Sequence, residues 1–369
     1  MNQQAYRRLI SGQSTGPSAS ILRLLLQIPA VIYSTAVRLR NLLYSKGFLN
    51  THTADVPVIS IGNITTGGTG KTPLVIWLCN FLQRKQMPCA VLTRGYKTQT
   101  AKQSSIANEP AIITKSCPQA KVITNPDRIT AAAEAVNKFG AKVLVMDDGF
   151  QHRRLSRDLD IVTIDSTQPF GYGKILPAGL LREPIASLKR ADAVVLTRCD
   201  QTSEAELAKL EKQLQLINPN MIIAQSAHTP ICAKSAKQGQ ISLDELKGKK
   251  IFAFCGIGNP DAFFTTIKAL SANLVDCRIY NDHHQYTSNC LADICEEAKK
   301  LKADLVLTTQ KDWFSSPLSA IDHTSNEQSA IKYGIPFAYL AIELKFLSGQ
   351  DKITNLIQDA LAGKIRKKH

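Results

Sequence analysis

The sequence has few aromatic residues and no closely spaced pair of cysteines. Phe, Trp and Tyr make up 6% of the 369 residues, and the nine cysteines are scattered without a C-x-x-C pair. A zinc ribbon and a small disulfide-stapled scaffold are therefore not expected. An odd number of cysteines, several of them in apolar runs, is typical of reduced and mostly buried thiols in a cytosolic compartment.

The composition combines a large apolar share with an excess of positive charge. Hydrophobic residues make up 44% of the chain, which excludes wholesale disorder, and a length of 369 residues predicts two domains. The net charge of +15 indicates nucleic acid, anionic lipid or a phosphorylated substrate as partner, with a merely soluble basic surface as the alternative. Because no recognition motif with interleaved aromatic residues is present, a nucleic-acid partner is not expected.

The N-terminal region contains an apolar stretch that is too short to span a bilayer. Residues 24–37 carry no charge, whereas about 20 apolar residues are needed to cross. Arg23 precedes the stretch, Arg38 and Arg40 follow it, and Pro29 is expected to kink or divide a helix. The pattern predicts an amphipathic helix in a membrane interface. The residues alone leave open a core helix that covers one face of a sheet.

A glycine-rich segment lies between a strand pattern and a helical run. VPVISI (56–61) precedes it and LVIWLCNFLQRK follows Pro73. This order is the context of a phosphate-binding P-loop, in which Lys71 is expected to reach the terminal phosphates and Thr72 to ligate Mg²⁺. The predicted nucleotide-binding residues are Thr65, Thr66, Gly67, Gly68, Thr69, Gly70, Lys71 and Thr72.

Thr65 departs from the strict pattern G-x-x-x-x-G-K-[ST], which has glycine at that position. Gly67, Gly68 and Gly70 partly compensate for the missing glycine. The alternative is a glycine-rich surface turn, which the flanking strand and helix patterns disfavour.

A second strand pattern ends in two adjacent carboxylates. KVLVM (142–146) leads into Asp147 and Asp148, and an acidic residue at this place in a P-loop protein holds Mg²⁺ directly or through water. A helix N-cap or a turn is the alternative. With further strand patterns at 160–164, 192–197 and 221–225, the segment 56–226 predicts a doubly wound, mostly parallel α/β sheet.

The motifs together resemble one family. VISIGNITTGGTGKTP, LTRGY, DDGFQHRRLSRDLDI, LPAGLLREP, DHHQYT and TTQKDW occur in this order, and with them the chain resembles the tetraacyldisaccharide 4′-kinases (lipid A 4′-kinases) of Gram-negative bacteria over nearly its whole length. The resemblance implies phosphorylation of the 4′-hydroxyl of an acylated glucosamine disaccharide 1-phosphate with ATP and Mg²⁺. It also implies a peripheral or monotopic protein at the cytoplasmic face of the inner membrane, which favours the interfacial role of the N-terminal helix.

The resemblance also implies roles for single residues. Asp147 and Asp148 match the acidic pair, with Asp148 in direct contact with Mg²⁺; Glu183 would support the metal, and Arg182 would support the transferring phosphate. Gln151 and His152 would orient phosphate or substrate, Arg128 would face the disaccharide, and Asp282 and His283 would assist the base. For these side chains the alternatives are backbone hydrogen bonds, an exposed ion pair, a surface charge or a buried histidine.

Arg94 and Tyr96 end a strand pattern beside the P-loop. Arg94 is expected to bind the 1-phosphate of the substrate or the γ-phosphate of ATP through bidentate hydrogen bonds. A surface charge is the alternative.

Residues 107–110 depart from the family. Where the family often has Gly-Asp-Glu-Pro, this chain has Ala107-Asn108-Glu109-Pro110. Asparagine cannot accept a proton as a carboxylate does. We expect His283 to suffice, because phosphoryl transfer depends mostly on positioning and electrostatics. Replacement by Glu109 and a slow or inactive enzyme are the alternatives.

The predicted organisation is an N-terminal helical segment (1–50), a P-loop kinase domain (51–235), a linker (236–248) and a smaller α/β lobe (249–369). Residues 197–200 are interpreted as a loop with little base specificity, and Lys311-Asp312 as second-lobe structure or nucleotide closure. A membrane-recruited P-loop ATPase or GTPase without a lipid acceptor is the alternative function.

Overall fold

The chain folds into two compact units. Unit 1 consists of Met1–Tyr96, Ile113–Ala227 and Leu344–His369, and unit 2 of Lys97–Ile112 and His228–Glu343. The structure is a computed structural model that describes residues 3–95, 108–235, 239–282, 284–321 and 334–365. The predicted fold class, a mostly parallel α/β sheet with a smaller second unit and an N-terminal helix, is confirmed.

The helices and strands have the following bounds. The helices are α1 (Gln3–Ser11), α2 (Pro17–Ser45), α3 (Lys71–Arg84), α4 (Asn108–Ser116), α5 (Arg128–Phe139), α6 (Glu204–Ile217), α7 (Pro260–Ala269), α8 (Ser288–Lys300), α9 (Gln310–Phe314), α10 (Leu318–Ile321) and α11 (Gln350–Leu361). The strands are β1 (Val58–Gly62), β2 (Cys89–Thr93), β3 (Lys121–Thr124), β4 (Val143–Asp147), β5 (Leu159–Asp165), β6 (Ala193–Thr197), β7 (Ile222–Ser235), β8 (Gly239–Ile241), β9 (Lys250–Cys255), β10 (Asn273–Ile279), β11 (Leu305–Thr309) and β12 (Phe337–Ser348).

The sheet of unit 1 brings the loops that carry the predicted site to one edge. Its strand order is β7-β6-β5-β1-β4-β2-β3, with parallel pairing throughout. β1, β4 and β5 are buried along their whole length, as their continuous apolar runs predict for a parallel sheet covered on both faces. Ile61 pairs with Asp147 on one side and with Ile161 on the other, so β1 and β4 end within one residue of each other, whereas β5 continues to Asp165.

The core of unit 1 uses both an early and a late helix. α3 buries Leu74, Leu78 and Leu82 at helical spacing. Ile353 and Ile357 of α11 belong to the same apolar cluster. The division therefore differs from the predicted one, which assigned residues 249–369 to a single lobe. The sequence of α11 shows an apolar face but does not indicate which sheet that face covers.

Unit 2 contains a parallel sheet with the order β10-β9-β11-β12. Phe252, Phe254 and Trp313 are fully buried in its core. The segment predicted as a linker contains regular structure: β8 pairs antiparallel with the end of β7, and Leu246 is buried.

Helix α2 continues through Pro29 and is not divided there. One proline removes a single backbone donor, and the turns on either side keep theirs. Ala30 and Val37 are buried, while large apolar side chains are exposed: Ile21, Leu24, Leu25, Ile28, Val31, Ile32, Leu39 and Leu42. Among the described residues, α2 is the helix long and apolar enough to cross a membrane, by length and composition alone, which is weak evidence of membrane association.

Candidate active site

The P-loop joins β1 to α3 with two glycines in left-handed conformations. Gly67 has φ 116° and Gly70 has φ 86°, a region that strains residues with a side chain. Gly70 is the N-cap of α3, so Lys71 and Thr72 form its first turn. The N–H groups of a first turn have no helical partner and attract anions. The loop therefore has the backbone of a phosphate-binding site.

Thr65 needs no glycine conformation in this fold. It forms an antiparallel bridge with Leu181 and has no positive φ. The Thr66 N–H donates a hydrogen bond to the Leu180 carbonyl at 2.8 Å, and the Arg182 N–H donates one to the Ile64 carbonyl at 2.7 Å. Pairing with residues 180–182 thus fixes the start of the P-loop, which makes the departure at Thr65 compatible with a nucleotide-binding loop.

Polar side chains from the neighbouring strands support the P-loop. The Thr69 hydroxyl lies 2.8 Å from that of Thr163 and accepts a hydrogen bond from Asn63 Nδ2 at 3.1 Å. The Thr197 hydroxyl donates to the Thr69 carbonyl at 3.0 Å. These groups are buried. They hold the P-loop from the side of the sheet, so the backbone N–H groups of the loop are not needed to hold it in place.

Arg198 is a supporting residue that the sequence interpretation missed. Its Nη1 donates to Asp165 at 2.6 Å and its Nη2 donates to the Gly68 carbonyl at 3.0 Å. The residue itself has φ 58°. Its position at the end of β6, at the same sheet edge as the P-loop, was the available signal. Thr197 and Arg198, in the segment interpreted as a loop with little base specificity, thus support the P-loop.

Lys71, Asp148 and Arg182, here called the Asp148 cluster, meet at this edge. Arg182 Nη1 donates to Asp148 Oδ1 at 2.8 Å, and Lys71 Nζ lies 3.4 Å from the same oxygen. Burial raises the pKa of the Asp148 carboxyl, but the charges of Lys71 and Arg182 outweigh it and hold this pKa below its ordinary value. The Asp148 side chain remains 34% exposed. The cluster is therefore accessible to solvent, and an incoming ligand can replace one of its charged partners.

Asp147 and Arg128 lie buried beside this cluster. Arg128 donates hydrogen bonds to the backbone carbonyls of Asn125 at 2.7 Å and Asp147 at 3.4 Å. Burial lowers the pKa of Arg128 to about 10, and the charge of Arg94 adds to this, whereas Asp147 and Asp148 oppose it. The predicted substrate residue Arg128 is therefore a charged group placed next to the acidic pair.

Gln151 and His152 differ from each other in what they contact. Gln151 Nε2 donates to the Asn63 carbonyl at 2.7 Å, so its amide supports the start of the P-loop. Burial lowers the pKa of His152 to about 4, with Arg128, Arg157 and Arg154 acting in the same direction. His152 is therefore neutral at pH 7. Its Nε2 is buried without a hydrogen-bond partner among the described residues.

Glu183, the residue predicted to support the metal, is enclosed by other side chains in this structure. Its side chain is 0% exposed and accepts hydrogen bonds from Arg190 at 3.0 Å, Asn41 at 2.8 Å and Arg40 at 3.4 Å. We call these four residues the Glu183 cluster. Both carboxylate oxygens are occupied, and two of the partners come from α2. The motif pattern did not reveal this, because those partners lie far away in the sequence.

The remaining predicted residues of unit 1 are only partly described. Arg94 is exposed directly after β2, and its charge acts on Arg128. Tyr96 lies outside the described residues.

Unit 2 contains a separate group of charged residues. Lys311 Nζ donates to Asp282 at 2.8 Å. Burial lowers the pKa of Lys311, but the charges of Asp282 and Glu109 outweigh it, so the pKa is raised. His283 lies outside the described residues. Asn108 is the first residue of α4, and its side chain lies outside the described part.

Asp312 fixes the loops around Lys311. It accepts hydrogen bonds from the Gly256 N–H at 2.9 Å, the Tyr286 hydroxyl at 3.0 Å and the Thr309 hydroxyl at 2.5 Å. Burial raises the pKa of Asp312 to about 6 although these donors lower it. These contacts give Asp312 a structural role, which is one of the two interpretations of the Lys311-Asp312 motif, the other being nucleotide closure.

Comparisons with known proteins find relatives that match nearly the whole chain. The family model for tetraacyldisaccharide-1-P 4′-kinase (LpxK) matches residues 22–362. A tetraacyldisaccharide 4′-kinase of Halothermothrix orenii is 34% identical over 340 residues, or 85% of this chain and 88% of that protein. One of Anaeromyxobacter sp. is 33% identical over 96% of both chains. A crystal structure of LpxK from Aquifex aeolicus in complex with ATP has a TM-score of 0.67 at 27% identity and covers 92% of this chain and 99% of that chain.

Proposed function

Because the chain belongs to the tetraacyldisaccharide-1-P 4′-kinase family, we propose that the P-loop edge of unit 1 is the phosphoryl-transfer site of a lipid A 4′-kinase. The reaction moves the γ-phosphate of ATP to the 4′-hydroxyl of a tetraacyl glucosamine disaccharide 1-phosphate. The observation that carries this proposal is the meeting of Lys71 and Arg182 on Asp148, at the amino end of α3.

ATP is the nucleotide that we assign to the P-loop. Gly67 and Gly70 turn the backbone around the phosphate position, and Lys71 begins the helix behind it. The relative from Aquifex aeolicus was crystallised with ATP. The bound triphosphate would take over Lys71 from Asp148, since both anions compete for one ammonium group.

The oxygen donors at this edge fit Mg²⁺. Thr72 supplies a hydroxyl, and Asp147 and Asp148 supply carboxylates. Mg²⁺ usually binds one or two carboxylates together with substrate phosphates. No group of three or more His, Cys, Asp or Glu side chains suited to a metal occurs within the described part of the chain. Bound Mg²⁺ would neutralise charge on the phosphates. We leave Glu183 out of the ligand set.

The cationic residues would stabilise charge during the transfer. The 4′-oxygen forms a bond to the γ-phosphorus, the bond to the bridging oxygen of ADP breaks, and the hydroxyl proton leaves to a base. Lys71 and Arg182 carry the positive charge closest to the Asp148 carboxylate. Such groups act mainly by electrostatic stabilisation of the oxygens around the transferring phosphorus.

We assign assistance to the base to Asp282 and His283, and substrate contacts to Arg94, Tyr96 and Arg128. The 2.8 Å contact with Lys311 orients Asp282. Asn108 is not assigned proton transfer, because its amide is not basic. Glu109 acts on Lys311 by its charge, which favours a supporting role for Glu109.

The exposed apolar face of α2 supports membrane attachment. Eight of its large side chains are more than half exposed: Ile21, Leu24, Leu25, Ile28, Val31, Ile32, Leu39 and Leu42. The Tyr33 hydroxyl of α2 donates to the Arg182 carbonyl at 3.0 Å. A bilayer held by α2 would therefore lie next to the site that needs a lipid substrate. We place the protein at the cytoplasmic face of the inner membrane, where ATP is available.

The test is γ-phosphate transfer from labelled ATP to a tetraacyl disaccharide 1-phosphate in detergent micelles. A labelled lipid product phosphorylated at the 4′-position supports the proposal. Nucleotide hydrolysis that is stimulated by a protein partner and gives no lipid product would contradict it and support a P-loop switch instead.

A further inference from the structure

A second basic cavity lies in unit 1. Its volume is about 390 Å³, which is within the range of roughly 300–1,000 Å³ for small-molecule sites. Its charged lining consists of Arg153, Arg157, Lys189, Arg190, Asp160 and Asp192, and no residue of the P-loop contributes to the lining. The lining therefore has a net positive charge and is distinct from the nucleotide site.

The two carboxylates of the lining are already engaged. Asp160 is bound by the Arg157 guanidinium at 3.1 Å, and both side chains are buried. Asp192 accepts a hydrogen bond from the Asp160 N–H at 2.8 Å. Arg190 is compensated from outside the lining by Glu183, at 3.0 Å.

Arg153 is a buried cation that is held by neutral groups of α2, including the Tyr44 ring, whose centroid lies 5.2 Å from its guanidinium carbon. It is 8% exposed and donates to the Asn41 carbonyl at 2.8 Å and the Ser45 hydroxyl at 3.3 Å. No carboxylate among the described residues forms an ion pair with it. Burial lowers the pKa of Arg153 to about 10; the charges of Arg190, Arg157 and Arg40 act in the same direction, and the charge of Glu183 opposes them. A buried cation among other cations is unfavourable unless an anion joins it.

We propose that this cavity binds a phosphate group at a site separate from the nucleotide site. Guanidinium groups match phosphate oxygens in planar, bidentate hydrogen bonds. Arg153 supplies a buried guanidinium, and Lys189 supplies an exposed ammonium at the cavity.

The cavity lies at the C-terminal end of α2, whose last residue, Ser45, contributes to its lining. The phosphate can belong to the headgroup of an anionic phospholipid or to a soluble phosphate compound. The recognition chemistry is the same for both sources.

The experiment uses the full chain with its P-loop saturated by a non-hydrolysable ATP analogue and Mg²⁺. Inorganic phosphate is then titrated calorimetrically into wild type, Arg153→Gln and Lys189→Gln, with Lys85→Gln at the exposed end of α3 as the control. We expect one phosphate per wild-type chain and an affinity about tenfold lower in each cavity variant, as loss of a charge-assisted hydrogen bond predicts. Because Arg153 also holds α2, Lys189→Gln provides the test if Arg153→Gln does not fold.

Vesicles distinguish the sources of the phosphate. Displacement of inorganic phosphate by phosphatidylglycerol vesicles, but not by phosphatidylcholine vesicles, identifies an anionic lipid headgroup. Phosphate binding that neither vesicle affects identifies a soluble compound, and both results support the site. Absence of phosphate binding to the nucleotide-saturated wild type, or an equal loss in Lys85→Gln, would overturn it.

Discussion

Two carboxylates of unit 1, Asp148 and Glu183, have similar charged partners but differ in their access to solvent. Asp148 is 34% exposed and pairs with Lys71 and Arg182. Glu183 is 0% exposed and is bound by Arg190, Arg40 and Asn41. The backbone bond between Arg182 and Glu183 joins the two clusters. Their side chains nevertheless belong to different networks.

This difference in exposure distinguishes a residue of the functional site from a residue that supports the fold. An exposed carboxylate can exchange a cationic side chain for a metal or release that side chain to a phosphate, because water compensates the change. Removing a partner from a sealed carboxylate leaves an uncompensated buried charge. We therefore expect changes in the Asp148 cluster to affect activity and changes in the Glu183 cluster to affect stability.

The largest effect is expected at Lys71. Lys71→Ala removes the ammonium group that faces both Asp148 and the phosphate position, and we expect phosphoryl transfer to fall by about 10³-fold. The lipid-product assay with labelled ATP measures this. Lys85→Ala, at the other end of α3, is the control and should keep wild-type activity. Retention of activity in Lys71→Ala would remove the basis of the site.

Asp148→Asn should lower transfer by about 10²-fold, since an amide cannot replace the carboxylate toward Mg²⁺ and the arginine. The melting temperature should stay near that of wild type, because the group is partly exposed. Activity titrated against Mg²⁺, together with thermal unfolding, separates the two effects. A fully active Asp148→Asn would show that this carboxylate is not a metal ligand.

Glu183→Gln should lower stability and leave activity nearly unchanged, which is the opposite of the result expected for Asp148→Asn. The neutral amide leaves Arg190 and Arg40 without their shared anion, so we expect a loss of about 3 kcal/mol in the free energy of unfolding. Denaturant unfolding measures this loss. Turnover per folded molecule should stay close to wild type. A stable variant with lost Mg²⁺ dependence would instead restore Glu183 to the metal site.

His152 sharpens the comparison, because burial acts there without a paired carboxylate. Its folded pKa of about 4 lies below the ordinary 6.5, so the unfolded chain binds more protons between these pH values. The free energy of unfolding should therefore fall as the pH drops through this window, by up to about 1.4 kcal/mol per pH unit. Denaturant unfolding at several pH values should show a shallower slope for His152→Gln. An unchanged slope in His152→Gln would contradict this prediction.

The smallest effect is expected at Asn108, outside both clusters. Asn108→Asp should change the single-turnover rate by less than about tenfold, because positioning and electrostatics dominate phosphoryl transfer. His283→Ala, measured in parallel, should have the larger effect. A gain well above tenfold in Asn108→Asp would show that the natural chain lacks a useful carboxylate.

Local sequence pattern predicted the parts of the fold and site that depend on neighbouring residues. The apolar run of β1, the glycines at 67 and 70, and Asp148 after β4 follow one another in short segments whose parallel pairing places them together. The contacts that were missed join distant segments. Arg198 with Gly68, and Glu183 with Arg40, are separated by more than a hundred residues, and no periodicity marks them.

The interpretation of Glu183 shows the limit of a motif. A family motif gives the order of residues along the chain, whereas the choice between ligand and support depends on burial and on partners contributed by other elements. α2 supplies two of those partners, and its sequence pattern predicts only an apolar helix.

The position of α11 has a consequence for biosynthesis. Ile353 and Ile357 complete the apolar cluster that also holds Leu74 behind the P-loop, yet the ribosome makes them after the residues of unit 2. The nascent chain must therefore keep an incomplete nucleotide-binding unit from aggregating while the whole of unit 2 is translated. A premature stop codon ahead of α11 would thus damage the part of the protein that was synthesised first.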